Sequence, residues 1–171
     1  MDEQRAPEET ALSPVCRAFL VKLGRTPDKT KRRTVLAACA RVRRPWSEEL
    51  LWEALADPNE SVRDFVSREL RDRPALRVDL ARRRLGNPPW YARSAALAVI
   101  GGRRVREALP EIGQACCDAN AEVRRAAADA LGEIGGEEAL RHLVRLRKDV
   151  SPHVRAAAEA AIEKTSGVRF S

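Results

Sequence analysis

The side chains best suited to chemistry in this chain are four cysteines and two histidines. Cys116 and Cys117 are adjacent, and neighbours on a helix point about 100° apart, so they cannot chelate one metal ion. The four cysteines are also too few and too irregularly spaced for a disulfide framework or a zinc site. The sequence contains no Gly-x-Ser-x-Gly, no phosphate-binding glycine loop and no His-Glu-x-x-His. We therefore predict that the protein is not an enzyme and holds no cofactor or metal.

The sequence also contains a recurring pattern. An arginine lies six residues after an aspartate or asparagine, and it returns every 30 or 31 positions. The four copies are Asp57 with Arg63, Asn87 with Arg93, Asp118 with Arg124, and Asp149 with Arg155. A weaker fifth copy at the front pairs Asp28 with Arg33, five residues apart. Such a row of arginines could bind a ligand, but each repeat of a repeat protein contacts only its neighbours, which favours a role in stacking.

Further basic residues collect where the second helix of each predicted repeat ends. They are Arg41, Arg43 and Arg44 in the first repeat, Arg71 and Arg73 in the second, and Arg103, Arg104 and Arg106 in the third. Equivalent positions of stacked repeats share one edge, so these residues predict a basic ridge that would attract phosphates or an acidic protein surface. The alternative is a solvated edge, because the helix dipole favours arginine near helix C-termini. Residues 22–44 carry nine basic residues and one acid, a net +8, which leaves −1 on the rest of the chain.

Trp90 and Tyr91 form an aromatic pair at the predicted entrance of a second helix, where other repeats carry polar residues. If exposed, such a pair would suit a protein partner as a binding hot spot, or a nucleic-acid base as a stacking platform. The alternative is a structural role, in which the tryptophan covers the adjoining helical hairpin.

Helices must position these residues, because apolar residues follow each recurring arginine at helical spacing. Three and seven residues after the arginines come two apolar sets: Val66, Ala96, Ala127 and Ala158, then Leu70, Ile100, Leu131 and Ile162. A composition with 44% hydrophobic but only 4% aromatic residues suits close-packed helices better than a β-sandwich. Glycines at positions 101–102 and 135–136 are predicted to end second helices.

We predict an all-α fold, an α-solenoid of about five stacked antiparallel helix pairs. It forms a single domain over residues 11–167, with repeats at 11–44, 45–73, 74–104, 105–136 and 137–167. Residues 1–10 are acidic and contain proline, so we predict that they are a disordered tail.

The segment from Glu122 to Gly135 reads EVRRAAADALGEIG and resembles the short repeats of the HEAT-repeat family, a type also found in bilin lyase subunits. The resemblance covers residues 11–167 and is strongest in the last two repeats. It implies a ladder of turn aspartates and helix arginines that links neighbouring repeats. By position, the ladder residues are Asp57, Asp118, Asp149, Arg63, Arg93, Arg124 and Arg155, and Asn87 replaces one aspartate.

The second helix of each repeat is expected to line a concave face, where it presents a small set of side chains of both charge signs. The residues expected there are Thr34, Asp64, Ser94, Arg125 and Ala156, followed by Ala38, Arg68, Ala98 and Asp129. This mixture favours a protein or peptide over a polyanion as the ligand.

These features predict a non-catalytic scaffold that binds another protein, one with an acidic surface. The predicted partner-binding residues are Arg33, Arg41, Arg43, Arg44, Arg71, Arg73, Arg103, Arg104, Trp90 and Tyr91. The alternative is nucleic-acid binding through the basic ridge, as in HEAT-like DNA glycosylases, although the aspartate and tryptophan those enzymes need cannot be placed here. The sequence shows no signal peptide and no apolar run long enough to span a bilayer, so we predict a cytoplasmic monomer without membrane contact.

Overall fold

The computed structural model describes residues 26–86 and 89–166, together with the isolated positions 18 and 22. Within these residues the chain forms nine α-helices, one short 3-10 turn (Arg106–Ala108) and no strand. The helices are α1 (Lys29–Arg41), α2 (Pro45–Ala54), α3 (Glu60–Arg71), α4 (Val78–Leu85), α5 (Trp90–Gly102), α6 (Leu109–Ala115), α7 (Ala121–Ile134), α8 (Glu137–Leu146) and α9 (Pro152–Ser166). The tail predicted at residues 1–10 lies outside the described residues.

Short turns fold the helices into antiparallel pairs, α2 with α3, α4 with α5, α6 with α7, and α8 with α9. The second helices α3, α5, α7 and α9 pack side by side in one layer, which α1 extends, and α2, α4, α6 and α8 form the other layer. One continuous hydrophobic core runs between the two layers. The predicted all-α solenoid is confirmed.

The apolar residues predicted to face the core are buried. The positions three residues after the recurring arginines, from Val66 to Ala158, are fully buried, and those seven residues after them, from Leu70 to Ile162, are at most 4% exposed. Trp52 fills the space between α2 and its neighbours and donates a hydrogen bond from Nε1 to Glu48 Oε1 at 3.2 Å. Burial of such side chains supplies most of the stability that a fold of this kind can gain.

Local capping fixes where the helices begin and end. The Asp28 side chain accepts hydrogen bonds from the backbone N–H groups of Thr30 and Lys31 at the start of α1. Gly135 and Gly136 follow α7 with φ of +65° and +91°, a backbone conformation that glycine adopts without strain. These two glycines therefore end a second helix, as the sequence predicts.

Gly101 has a different role from the predicted one, because it lies inside the last turn of α5. A Cβ atom placed on Gly101 would lie 2.6 Å from the Cα atom of Ala130 in α7. Likewise, a Cβ atom placed on Gly132 of α7 would lie 2.7 Å from the Cβ atom of Ala161 in α9. The helix does end at the predicted pair, with Gly102 as its last residue, but Gly101 lies within the helix and allows two second helices to approach closely.

Candidate functional site

The recurring arginines link neighbouring repeats through paired hydrogen bonds. Arg124 donates from Nε and Nη2 to the two carboxylate oxygens of Asp149 at 2.7 and 2.9 Å, and Arg93 binds Asp118 in the same way at 2.8 and 2.9 Å. Arg124 also donates to the backbone carbonyl of Asp118, so it joins its own turn to the next one. These guanidinium groups are used inside the stack and are not available as a ligand-binding row.

In the first repeat the arginine of the ladder is Arg32, one residue before the Arg33 of the weaker sequence copy. Arg32 donates to both oxygens of Asp57 at 2.7 and 2.9 Å, and to the carbonyl of Thr26 six residues before it. Thr26 thus takes the place of the turn aspartate, while Asp28 caps α1. Arg33 is exposed, and its guanidinium carbon lies 5.3 Å from the centroid of the Phe65 ring.

Arg63 departs from this pattern at the step between the second and third repeats. It donates to the carbonyl of Asp57 in its own turn at 2.9 Å, but the position 25 residues further on is occupied by proline. Its guanidinium carbon instead lies 4.6 Å from the centroid of the Tyr91 ring, a cation–π contact. Tyr91 meets Trp90 edge to face with centroids 5.7 Å apart, and Trp90 remains 43% exposed.

A groove of about 680 Å³ runs between α3 and α5 at this irregular step. Arg71 explains part of its width: it lies eight residues after Arg63, where the later repeats have Gly101 and Gly132, so α3 cannot approach α5 as closely. The residues that line the groove are Glu60, Arg63, Asp64, Ser67, Arg68, Arg71, Trp90, Tyr91, Ser94, Ala95, Ala98 and Glu122. Four of the residues predicted for the concave face, Asp64, Arg68, Ser94 and Ala98, therefore meet here.

One polar side-chain atom in the wall of the groove has no hydrogen-bond partner within the described part of the chain. The Ser94 hydroxyl is buried and makes no hydrogen bond within these residues. A buried polar group of this kind costs free energy unless a partner satisfies it. The charged and aromatic side chains that line the groove are the groups that a ligand can reach.

The basic ridge is only partly a surface feature. Arg73 is 7% exposed and donates to Ser47 Oγ at 2.8 Å, so it is a packing residue and cannot contribute to a binding surface. Arg103 donates a hydrogen bond to the Arg71 carbonyl, and Arg106 donates one to the Ile134 carbonyl. These bonds satisfy backbone acceptors at the C-terminal ends of α3 and α7. The arginines of the ridge that stay exposed without such a role are Arg41, Arg43, Arg44 and Arg104.

Arg104 adopts a strained backbone conformation, with φ of +52° directly after the end of α5. Because a side chain in the left-handed region costs about 1 kcal/mol, we expect Arg104→Gly to increase the free energy of unfolding by about that amount. Urea denaturation would measure the change. Arg43→Gly is the matched control, since it removes an equally exposed charge at a position without positive φ. Equal changes in the free energy of unfolding for the two variants would contradict the claim that the backbone is strained at Arg104.

The buried cysteines Cys39 and Cys116 are not poised for nucleophilic chemistry. Burial and the neighbouring Cys117 raise the pKa of the Cys116 thiol to about 12, and burial also raises the pKa of Cys39. A thiol with so high a pKa stays protonated at neutral pH and is a poor nucleophile and metal ligand. Within residues 26–86 and 89–166, no group of three or more His, Cys, Asp or Glu side chains is placed to hold a metal ion.

The family model for HEAT repeats matches residues 78–163, which is half of the chain. The chain belongs to the HEAT-repeat family. A search of curated proteins gives no match. Across the helices that the structure describes, none is long and apolar enough to cross a membrane.

Solved structures share the fold of this HEAT-repeat protein. The complex of CpcE and CpcF of phycocyanin lyase from Nostoc sp. PCC7120 is similar with a TM-score of 0.59 at 19% identity, over 98% of this chain and 70% of that one. A designed armadillo repeat protein in complex with the peptide (KR)4 is similar with a TM-score of 0.51 at 17% identity, over 85% of this chain and 80% of that one. At such identities the likeness concerns the fold, which is one typical of protein-binding scaffolds.

Proposed function

We propose that this HEAT-repeat protein is a non-catalytic scaffold that binds a partner protein in the groove between α3 and α5. The observation that carries the proposal is the open groove itself, with a 43% exposed Trp90 at its edge. Partly exposed tryptophans beside such grooves are the residues that most often dominate the affinity of protein interfaces.

The similar structures support this proposal through the binding that each one shows. The phycocyanin lyase structure is a complex of two proteins, and the designed armadillo protein binds a peptide. Stacked helix pairs offer an extended surface for such contacts without any chemistry of their own. A cytoplasmic location, a monomeric state and an acidic partner surface stay predictions.

Replacement of Trp90 by alanine tests the proposal. We expect the partner recovered from native cell extract by the wild-type protein to bind Trp90→Ala at least about 30-fold more weakly, as for a central interface hot spot. Titration calorimetry with the purified partner would measure the change. Val144→Ala is the control, because Val144 is equally exposed at 49% but lies on α8, in the other layer. Equal affinity of the wild type and Trp90→Ala would refute the proposed site.

The alternative function, nucleic-acid binding, is favoured by one observation. Arg41, Arg43 and Arg44 are exposed together at the end of α1. If they bind phosphates, binding to heparin or duplex DNA should weaken steeply with salt, and replacing all three by serine should abolish it. A titration at low salt that shows no binding would exclude this function.

A further inference from the structure

The wall of the groove formed by α3 carries an ordered sequence of charges. Glu60, Asp64, Arg68 and Arg71 follow one another at spacings of four, four and three residues, so they form one stripe along the helix. Given a rise of 1.5 Å per residue, the stripe is roughly 16 Å long. It is acidic near the start of α3 and basic near its end.

These four charges are not neutralised within the described part of the chain, where none of them forms an ion pair. The corresponding charges on α7 behave differently. Arg125 pairs with Glu122 at 3.0 Å and with Asp129 at 2.9 Å. The charges along α3 are therefore the ones available to a ligand.

The opposite wall, formed by α5, is uncharged, and its side chains become smaller from the start of the helix towards its end. Trp90, Ser94 and Ala98 recur every four residues and line the groove, with side chains that become smaller in this order. Two contacts show that α3 and α5 run in the same direction. Arg63 touches Tyr91 at the start of both helices, and a Cβ atom on Gly102 would lie 2.6 Å from Cδ of Arg71 at their ends. The acidic end of the groove thus lies beside Trp90, and the basic end lies beside the smallest side chains.

We propose that the groove binds an amphipathic helix of the partner, acidic in its N-terminal half and basic in its C-terminal half, that runs antiparallel to α3. This inference rests on the proposed function and specifies its ligand. A helix with acids at its start and bases at its end also has the charge order that its own dipole favours. Only the antiparallel direction places those acids beside Arg68 and Arg71, and those bases beside Glu60 and Asp64.

The uncharged wall specifies the remaining contacts. Large apolar side chains in the N-terminal half of the partner helix fill the space above Ala98. A lysine or arginine in its C-terminal half lies over the Trp90 ring, as Arg63 lies over Tyr91. An apolar face packed into a groove between two helices is an established mode of peptide recognition.

Two synthetic helical peptides of about 14 residues, long enough to cover the stripe, test the proposal. They share composition and apolar face, but one has acids before bases and the other has bases before acids. We expect fluorescence anisotropy to show about tenfold or greater preference of the wild type for the first peptide. The shared apolar contacts hold both peptides in the same direction, so four surface pairs become repulsive in the second. In the double variant Asp64→Arg, Arg68→Asp the central pair of the stripe is inverted, so the preference should vanish or reverse.

Equal affinity for the two peptides, a preference for the second, or no binding of either at millimolar concentration would overturn the proposal. So would a dimer abolished by the double variant, because a second copy would then occupy the groove. The circular dichroism of the double variant should match the wild type, since both side chains are exposed and unpaired. If Trp90→Ala lost partner binding while neither peptide was preferred, the groove would remain the proposed binding site. Only the proposal that its ligand is a helix of this charge order would be rejected.

Discussion

Replacing Arg124 by methionine should lower the free energy of unfolding by about 3 kcal/mol, because it leaves a poorly solvated carboxylate without its partner. Arg124 and Asp149 have side chains only 13% and 9% exposed, and two hydrogen bonds join them. Methionine keeps the aliphatic contacts of the arginine stem, so the loss measures the charged group. Urea denaturation followed by circular dichroism would give the difference.

The control for this variant is Arg125→Met, which changes the next residue of the same helix. Arg125 pairs with Glu122 and Asp129, but all three side chains are more than 40% exposed. Ion pairs on the surface contribute less than about 1 kcal/mol, so this variant should lose far less stability than Arg124→Met. Similar losses in the two variants would show that the link between repeats has no special weight.

The loss should be local as well as large. Arg124 joins α7 to the turn before α9, and a terminal repeat of a solenoid packs on one side only. Amide exchange in Arg124→Met should therefore accelerate mainly in residues 137–166, while α3 and α5 keep their protection. Uniform acceleration along the chain would argue against nearest-neighbour coupling.

The same link gives the effect of Arg124→Met a dependence on pH. The hydrogen bond from Arg124 holds the pKa of Asp149 below its ordinary value of 3.8. A carboxylate whose pKa is lower in the folded state contributes stability above the pKa of the unfolded state and loses it as the pH falls through the folded value. The difference between the wild type and Arg124→Met should therefore be full at pH 7 and shrink as the pH falls below 3.8.

The fold can be predicted from the sequence because the residues that repeat every 30 or 31 positions are largely the ones that are buried in the structure. An arginine followed three and seven residues later by apolar side chains specifies both the helix and its inner face. The first repeat shows where this reasoning fails. Asp28 resembles a turn aspartate but caps α1, so the sequence pattern places the arginine of this copy one residue too late. The separation of 25 residues that joins Arg93 to Asp118 also joins Arg32 to Asp57, and it would have identified Arg32.

The binding groove was less accessible to sequence reasoning than the fold. The aromatic pair at Trp90 stands out by composition, and four of the residues expected on the concave face line the groove. Their assembly into a groove depends on Arg71, which looks like an ordinary arginine at a helix end. Likewise, Arg73 and Arg103 look alike in the sequence, yet one is buried and the other binds a carbonyl of α3. Only the three-dimensional packing distinguishes these roles.

Replacing Gly101 by alanine should destabilise the protein by about 2 kcal/mol, even though alanine favours helices over glycine by about 1 kcal/mol. The new methyl group would lie 2.6 Å from the Cα atom of Ala130, and backbone atoms cannot move aside as a side chain can. Helices α5 and α7 would have to separate, which weakens the contacts of buried side chains along their interface. Thermal and urea denaturation would both report the loss.

Gly102→Ala is the matched control, because it adds the same methyl group to the next residue of the same helix. Its new Cβ atom would meet Cδ of Arg71 at 2.6 Å, but that side chain is flexible and can rotate away. We expect a change within about 0.5 kcal/mol of zero. If the two alanines had equal effects, close packing at Gly101 would not be what holds α5 against α7. Arg71 could then no longer explain why α3 and α5 stand apart, and the groove would need another cause.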